Sequence, residues 1–220
     1  MARISSTILA TVVVSLTRIV LTHAHMQMSW PYPLRSPLDP TLSWDVKDYS
    51  MTNPLNANGS DFPCKHYQED GNTPQAVKAT YTAGETYNLT LSGHATHDGG
   101  SCQISLSYDN GVSFKVIKSI IGGCPLSPTY DFTIPASVPS SDSVLLSWSW
   151  FNLVGNREMY QNCARVSVQS RNTSRTVRSR RQAGFEGLPD MYVCNVNNGC
   201  TTVEGENVVF PKPGSDVTYG

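Results

Sequence analysis

The chain has 220 residues, with 16 lysines and arginines against 17 acids and 39 % hydrophobic content. A net charge of −1 lacks the basic footprint on which nucleic-acid binders depend, so no nucleic-acid partner is expected. The length suits one domain with a packed core.

The first 24 residues begin with Arg3, continue through the apolar run "ILATVVVSL" and end in Thr22-His23-Ala24. A positive start, a short apolar core and a small residue at the end describe a secretory signal peptide over 1–24. The apolar run is too short, and Arg18 too intrusive, for a membrane span. Cleavage after Ala24 leaves a secreted, extracellular chain over 25–220, read as a single domain. It also makes His25 the first residue.

Residues 25–75 carry many prolines and few strand signals, which predicts long loops wrapped on the core. Beyond them, "TYNLTLSG", "CQISLSYD", "VSFKVIKSI", "YDFTI", "SVLLSWSWFN" and "CARVSVQS" alternate apolar and polar residues and are rich in β-branched and aromatic types. Asn110-Gly111, between two of these runs, is a strong hairpin signal. No stretch offers a long amphipathic helix. The pattern predicts an all-β fold, an immunoglobulin- or fibronectin-like sandwich with long loops and few short helices. Trp148 and Trp150 share one strand face and read as core. Residues 165–184 are rich in arginine, serine and threonine and read as a flexible, exposed loop, above all in their later part from about Ser170, which has almost no apolar periodicity.

Six cysteines, Cys64, Cys102, Cys124, Cys163, Cys194 and Cys200, lie beyond the signal and imply three disulfides in an exported chain. Asn58, Asn88 and Asn172 each begin an Asn-x-Ser/Thr sequon and are glycosylation candidates.

The chemistry concentrates in the histidines. A cut after Ala24 gives His25 both an imidazole and a free α-amine as metal-binding nitrogens. His94 and His97 both lie in "SGHATHDGGSCQ", a Gly-rich turn ending at Cys102, where a disulfide can hold a ligand rigidly, and composition does not choose His97 over His94. Two imidazoles and one amine form a nitrogen-rich set that favours Cu(II), whereas a closed zinc site would more naturally include a carboxylate or thiolate. Taken alone, a loop histidine is usually solvent-exposed and inert. Its coincidence with a histidine at the cleavage site changes that balance.

Several blocks carry a family resemblance. They are "HMQM" at 25–28, "GSDFPCK" at 59–65, "ATHDGGSCQISLSYDNG" at 95–111, "FKVIKSIIGGCP" at 114–125, "SWSWFNLVGNREMYQNCA" at 147–164 and "LPDMYVCNVNNGCTTVEG" at 188–205. In this order they resemble the fungal lytic polysaccharide monooxygenases of auxiliary activity family 11, whose characterised members act on chitin. The resemblance implies one copper ion in a histidine brace formed by the His25 α-amine and imidazole and by His97. It places Tyr160 at an axial position, Glu158 as an acidic group beside the metal, and Ala95 crowding the opposite axial side. Two stretches depart from the family pattern, the aromatic Trp30-Pro31-Tyr32-Pro33 and the Arg-rich segment.

Six cysteines allow 15 pairings. Cys194 and Cys200 flank a turn-forming loop and Cys102 and Cys124 bracket the Asn110-Gly111 hairpin, which leaves Cys64 with Cys163. The expected function is copper-dependent oxidative cleavage of β-1,4-glycosidic bonds in an insoluble polysaccharide, chitin foremost. It requires an external electron donor and H2O2 or O2, and a monomer is expected. The alternatives are a non-catalytic brace protein for copper handling and a carbohydrate-binding sandwich.

Overall fold

The computed structural model describes residues 25–71, 75–170 and 182–220. Residues 1–24, read above as a signal, the Asn172 sequon and residues 171–181 of the Arg-rich segment lie outside the described residues.

Among the described residues, nine strands form two sheets. In chain order they are β1 (Met26–Trp30), β2 (Ala79–Thr82), β3 (Thr86–Gly93), β4 (Gly100–Ser107), β5 (Lys115–Ile121), β6 (Thr129–Thr133), β7 (Ser141–Asn152), β8 (Met159–Gln169) and β9 (Val217–Tyr219). The smaller sheet has the order β1-β3-β6 and the larger β2-β8-β7-β4-β5-β9. This is the all-β sandwich that the alternating runs predict. Helical structure is confined to short pieces, including single 3-10 turns at Trp44–Val46 and Cys64–His66. No helix among the described residues is long and apolar enough to cross a membrane.

Alternation sends one face of the large sheet into the sandwich. Cys102, Ile104 and Leu106 from β4, Val144, Leu146, Trp148 and Trp150 from β7, and Ala164, Val166 and Val168 from β8 meet Met28, Leu89, Leu91 and Phe132 of the small sheet. Trp148 and Trp150 are buried there.

The opposite face is also covered, by irregular chain rather than by a sheet. Leu145, Phe151, Met159 and Cys163 pack there against Leu34, Leu55, Met191, Val196 and Phe210. Coil carries unpaired backbone groups that burial would penalise, and buried side-chain amides satisfy them. Gln161 Oε1 accepts the Cys64 N–H at 2.9 Å and Gln103 Oε1 accepts the Tyr192 N–H at 2.8 Å. Disulfides Cys64–Cys163, Cys102–Cys124 and Cys194–Cys200 fasten these layers, the first across 99 residues.

The fold differs from expectation at three places. The N-terminal region is mostly loop, but it opens with β1, which pairs antiparallel with β3. The Asn110-Gly111 turn joins β4 to β5 with both residues at positive φ, within a longer connection than a two-residue hairpin. The Arg-rich loop does not begin at 165. β8 continues to Gln169 because Val166 and Val168 enter the core and pair with β7 and β2. Arg165 is itself buried, its Nη2 donating to Gln75 Oε1 and Asn110 Oδ1 at 2.8 Å each. At the far side of the segment, residues 182–186 are helical. Asn58 and Asn88 are both exposed, so their side chains are accessible to modification.

Candidate metal centre

The start of β1, the β3–β4 turn and the β7–β8 turn converge at one end of the sandwich. His25 immediately precedes β1, whose first residue pairs with Gly93 at the end of β3. That approach requires glycine, since a Cβ at Gly93 would collide with the His25 carbonyl oxygen and lie 2.8 Å from Met26 Cα. The chain then turns through 94–99 into β4.

His97 sits in that turn with φ 50°, followed by Asp98 at φ 57° and two glycines at positive φ. Non-glycine residues rarely adopt this conformation, so the surroundings must hold it. Gly99 N–H bonds to Thr96 O, Leu153 N–H bonds to Gly99 O, and the Trp150 indole N–H donates to Gly99 O at 3.2 Å. The Cys102–Cys124 disulfide anchors the strand that follows.

The two imidazoles face one another, ring centroids 5.0 Å apart and planes 14° from parallel. His25 Nδ1 and His97 Nε2 are both shielded from solvent and have no hydrogen-bond partner. Buried polar nitrogens without partners are costly, and a shared ligand removes that cost. The particular atoms matter. Nδ1 is the imidazole nitrogen that can close a six-membered chelate ring with the amine of its own residue. The donor set therefore fits a metal such as copper.

Burial, reinforced by the neighbouring His97, lowers the His25 pKa, with Glu158 partly opposing. The neutral, metal-binding form is thereby favoured. One ligand atom each from His25, His97 and Glu158 lies within 4.8 Å of the other two, and all three residues are half-buried. They can be reached from outside.

Tyr160 lies against the pair, its ring centroid 5.4 Å from His25 and 6.5 Å from His97. Its ring stacks on Trp150 at 4.3 Å and its hydroxyl donates to Glu158 Oε2 at 2.6 Å. Alternation in extended chain puts residues 158 and 160 on one side. Burial, then the bond to Glu158 and that residue's charge, push the phenol far above its usual range. Ala95 is half-buried in the His97 turn.

Asn152 and Asn195, which hold the Glu158 backbone, leave no mark in the sequence. Asn152 Oδ1 accepts the Glu158 N–H at 3.2 Å, and Asn195 Nδ2 donates to the Glu158 carbonyl at 3.0 Å. Nor does the sequence separate Trp150 from other core tryptophans, although this one touches both Tyr160 and the His97 turn.

The chain is 53 % identical to an AA11 family lytic polysaccharide monooxygenase A of Aspergillus fumigatus, over 92 % of this chain and 88 % of that protein. The chain belongs to the AA11 family of lytic polysaccharide monooxygenases. It is thus a monooxygenase. A second A. fumigatus AA11 enzyme, monooxygenase B, is 39 % identical over 89 % of the chain, and an Aspergillus oryzae AA11 enzyme is 40 % identical over the same share. The chain spans about half the length of these two, 49 % and 48 %. No protein-family model matches the chain. Among solved structures, a cellulose-active polysaccharide monooxygenase from M. thermophila aligns with a TM-score of 0.46 and 17 % identity, covering 69 % of this chain and 79 % of that one. A likeness of that size carries no argument about substrate or site.

Proposed function

We propose that this AA11 enzyme is exported, loses residues 1–24, and cleaves an insoluble β-1,4-linked polysaccharide oxidatively, chitin being the substrate expected of the family. It would hold one copper ion through the His25 α-amine and Nδ1 together with His97 Nε2. The observation that carries the reading is the pair of buried, partnerless nitrogens, His25 Nδ1 and His97 Nε2, on imidazoles 5.0 Å apart. Export is supported by the 1–24 pattern and by three disulfides.

Bound there, copper supplies one-electron redox chemistry, drawing on an external electron donor and on O2 or H2O2. The protein's own groups do the rest. Tyr160, neutral and tied to Glu158, closes one side of the centre and limits what can approach from it. Glu158 keeps one oxygen on the Tyr160 hydroxyl, and its other oxygen would accept or return a proton at the centre. Ala95 crowds the remaining side. The half-buried placement of these groups suits a solid substrate, which cannot enter a closed pocket. The protein acts as a monomer.

The test is incubation of copper-loaded protein with chitin, reductant and H2O2, followed by mass spectrometry of the soluble products. Oxidised chito-oligosaccharides are expected. Their absence from chitin, with none released from cellulose either, would sink the proposal.

A further inference from the structure

We infer that Asn195, presented by the Cys194–Cys200 loop, is a positioning residue for Glu158. The inference rests on the proposed role of Glu158 beside the copper.

Glu158 lies at the end of the β7–β8 turn, where its backbone is gripped on both sides. Asn152 takes its N–H, and Asn195, 37 residues later, gives an amide hydrogen to its carbonyl at 3.0 Å. Asn195 has little freedom to do otherwise. It is 8 % exposed, its Nδ2 also donates to Thr202 Oγ1 at 2.9 Å, and its Oδ1 accepts the Thr202 N–H at 2.9 Å. Its own N–H bonds to Cys200 O at 3.0 Å, closing the loop that the disulfide already closes.

The backbone there has φ 63°, a conformation asparagine tolerates better than most residues. The amide accepts from Thr202 through its oxygen and donates to Glu158 through its nitrogen, a pairing that a carboxylate cannot reproduce. The same C-terminal segment holds the rest of the turn. Glu204 Oε1 accepts the Gly155 N–H at 2.8 Å, and Leu153 O accepts the Gly205 N–H at 2.8 Å. The disulfide loop and the segment after it therefore hold the backbone from which the Glu158 side chain projects.

Two variants separate this from a bulk structural role. Asn195→Asp keeps the shape and the acceptor for Thr202 but loses the donor to Glu158. Asn195→Gly loses both contacts, adds no charge, and suits the positive φ, so the loop keeps its path. The first readout uses metal-free mature protein carrying 13C only at glutamate carboxylates. The Glu158 resonance, assigned by its loss in Glu158→Gln, is expected to move in both Asn195 variants while the other glutamate signals stay in place.

The second readout is turnover of copper-loaded enzyme. Each variant is expected to lose about tenfold, the low end for groups that support a metal site from behind. Neither should lose more once Glu158→Gln is present. An unmoved Glu158 resonance, or losses that multiply with Glu158→Gln, would overturn the inference. Wild-type protein that binds no copper while the resonance still moves would refute the proposed function and leave the positioning role standing.

Discussion

Tyr160 donates its phenolic hydrogen to Glu158 at 2.6 Å, two residues back along the same side of the chain. The phenol is therefore a neutral donor and the carboxylate its acceptor. Burial and the facing negative charge both disfavour a phenolate. Tyr160 is expected to stay protonated through the alkaline range where exposed tyrosines ionise, about pH 9–11. Ultraviolet difference spectra of wild type and Tyr160→Phe should then show equal ionisation amplitudes. Loss of one tyrosine's worth in the variant would contradict the assignment.

The His25 shift has a consequence for acid stability. Burial and His97 lower its pKa from the ordinary 6.5, so the folded protein binds this proton less readily than the unfolded chain. The stabilising contribution is present above about pH 6.5 and is lost as pH falls through the lower folded value. Metal-free protein should show a falling thermal midpoint on acidification below neutrality. In His25→Gln that fall should be shallower, and an unchanged slope would argue against the placement of His25.

Gly93 sets the approach of β1 to the His97 turn. Substituting alanine there forces the His25 carbonyl aside. Gly93→Ala should weaken copper binding by more than about tenfold, a cost typical of disturbing a group that supports a metal site. Isothermal titration with Cu(II) measures it. Unchanged affinity in a folded Gly93→Ala protein would show that the pairing with Met26 does not govern the centre.

The N-terminal loop is held to the approach to β2 by an ion pair between Asp39 and Lys78. Asp39, fully buried, meets Lys78 at 2.6 Å and accepts from Thr41. Burial alone would raise the Asp39 pKa, but the bonds from Lys78 and Thr41 outweigh it and the carboxyl titrates below its usual range. Lys78→Met leaves a buried carboxylate without its cation and should cost about 3–5 kcal/mol in denaturant unfolding. Adding Asp39→Asn should recover part of that loss.

Legibility in the sequence followed the kind of interaction involved. β3 and β7 were readable because alternation and β-branched or aromatic residues record burial along the strand itself. β1 was not. "MQMSW" has no β-branched residue, is followed by prolines, and becomes a strand only by pairing with residues 90–93. The burial of Arg165 was not readable, because arginine in a run of polar residues suggests solvent, whereas Arg165 is buried on two side-chain amide oxygens. His25 and His97 stood out through a cleavage signal, a Gly-rich turn and the family blocks. Asn152 and Asn195 did not, since each acts through a side-chain amide on a distant backbone group, and no local pattern encodes that.

The central claim is that His25, freed as the first residue, completes a nitrogen site with His97. The most direct measurement is intact mass and N-terminal sequence of the secreted protein, followed by Cu(II) titration under electron paramagnetic resonance. A chain beginning at His25 that binds one copper tightly is expected, with an axial, nitrogen-rich spectrum that disappears in His97→Ala. A chain beginning elsewhere, or copper bound weakly and unaffected by His97→Ala, would contradict the claim.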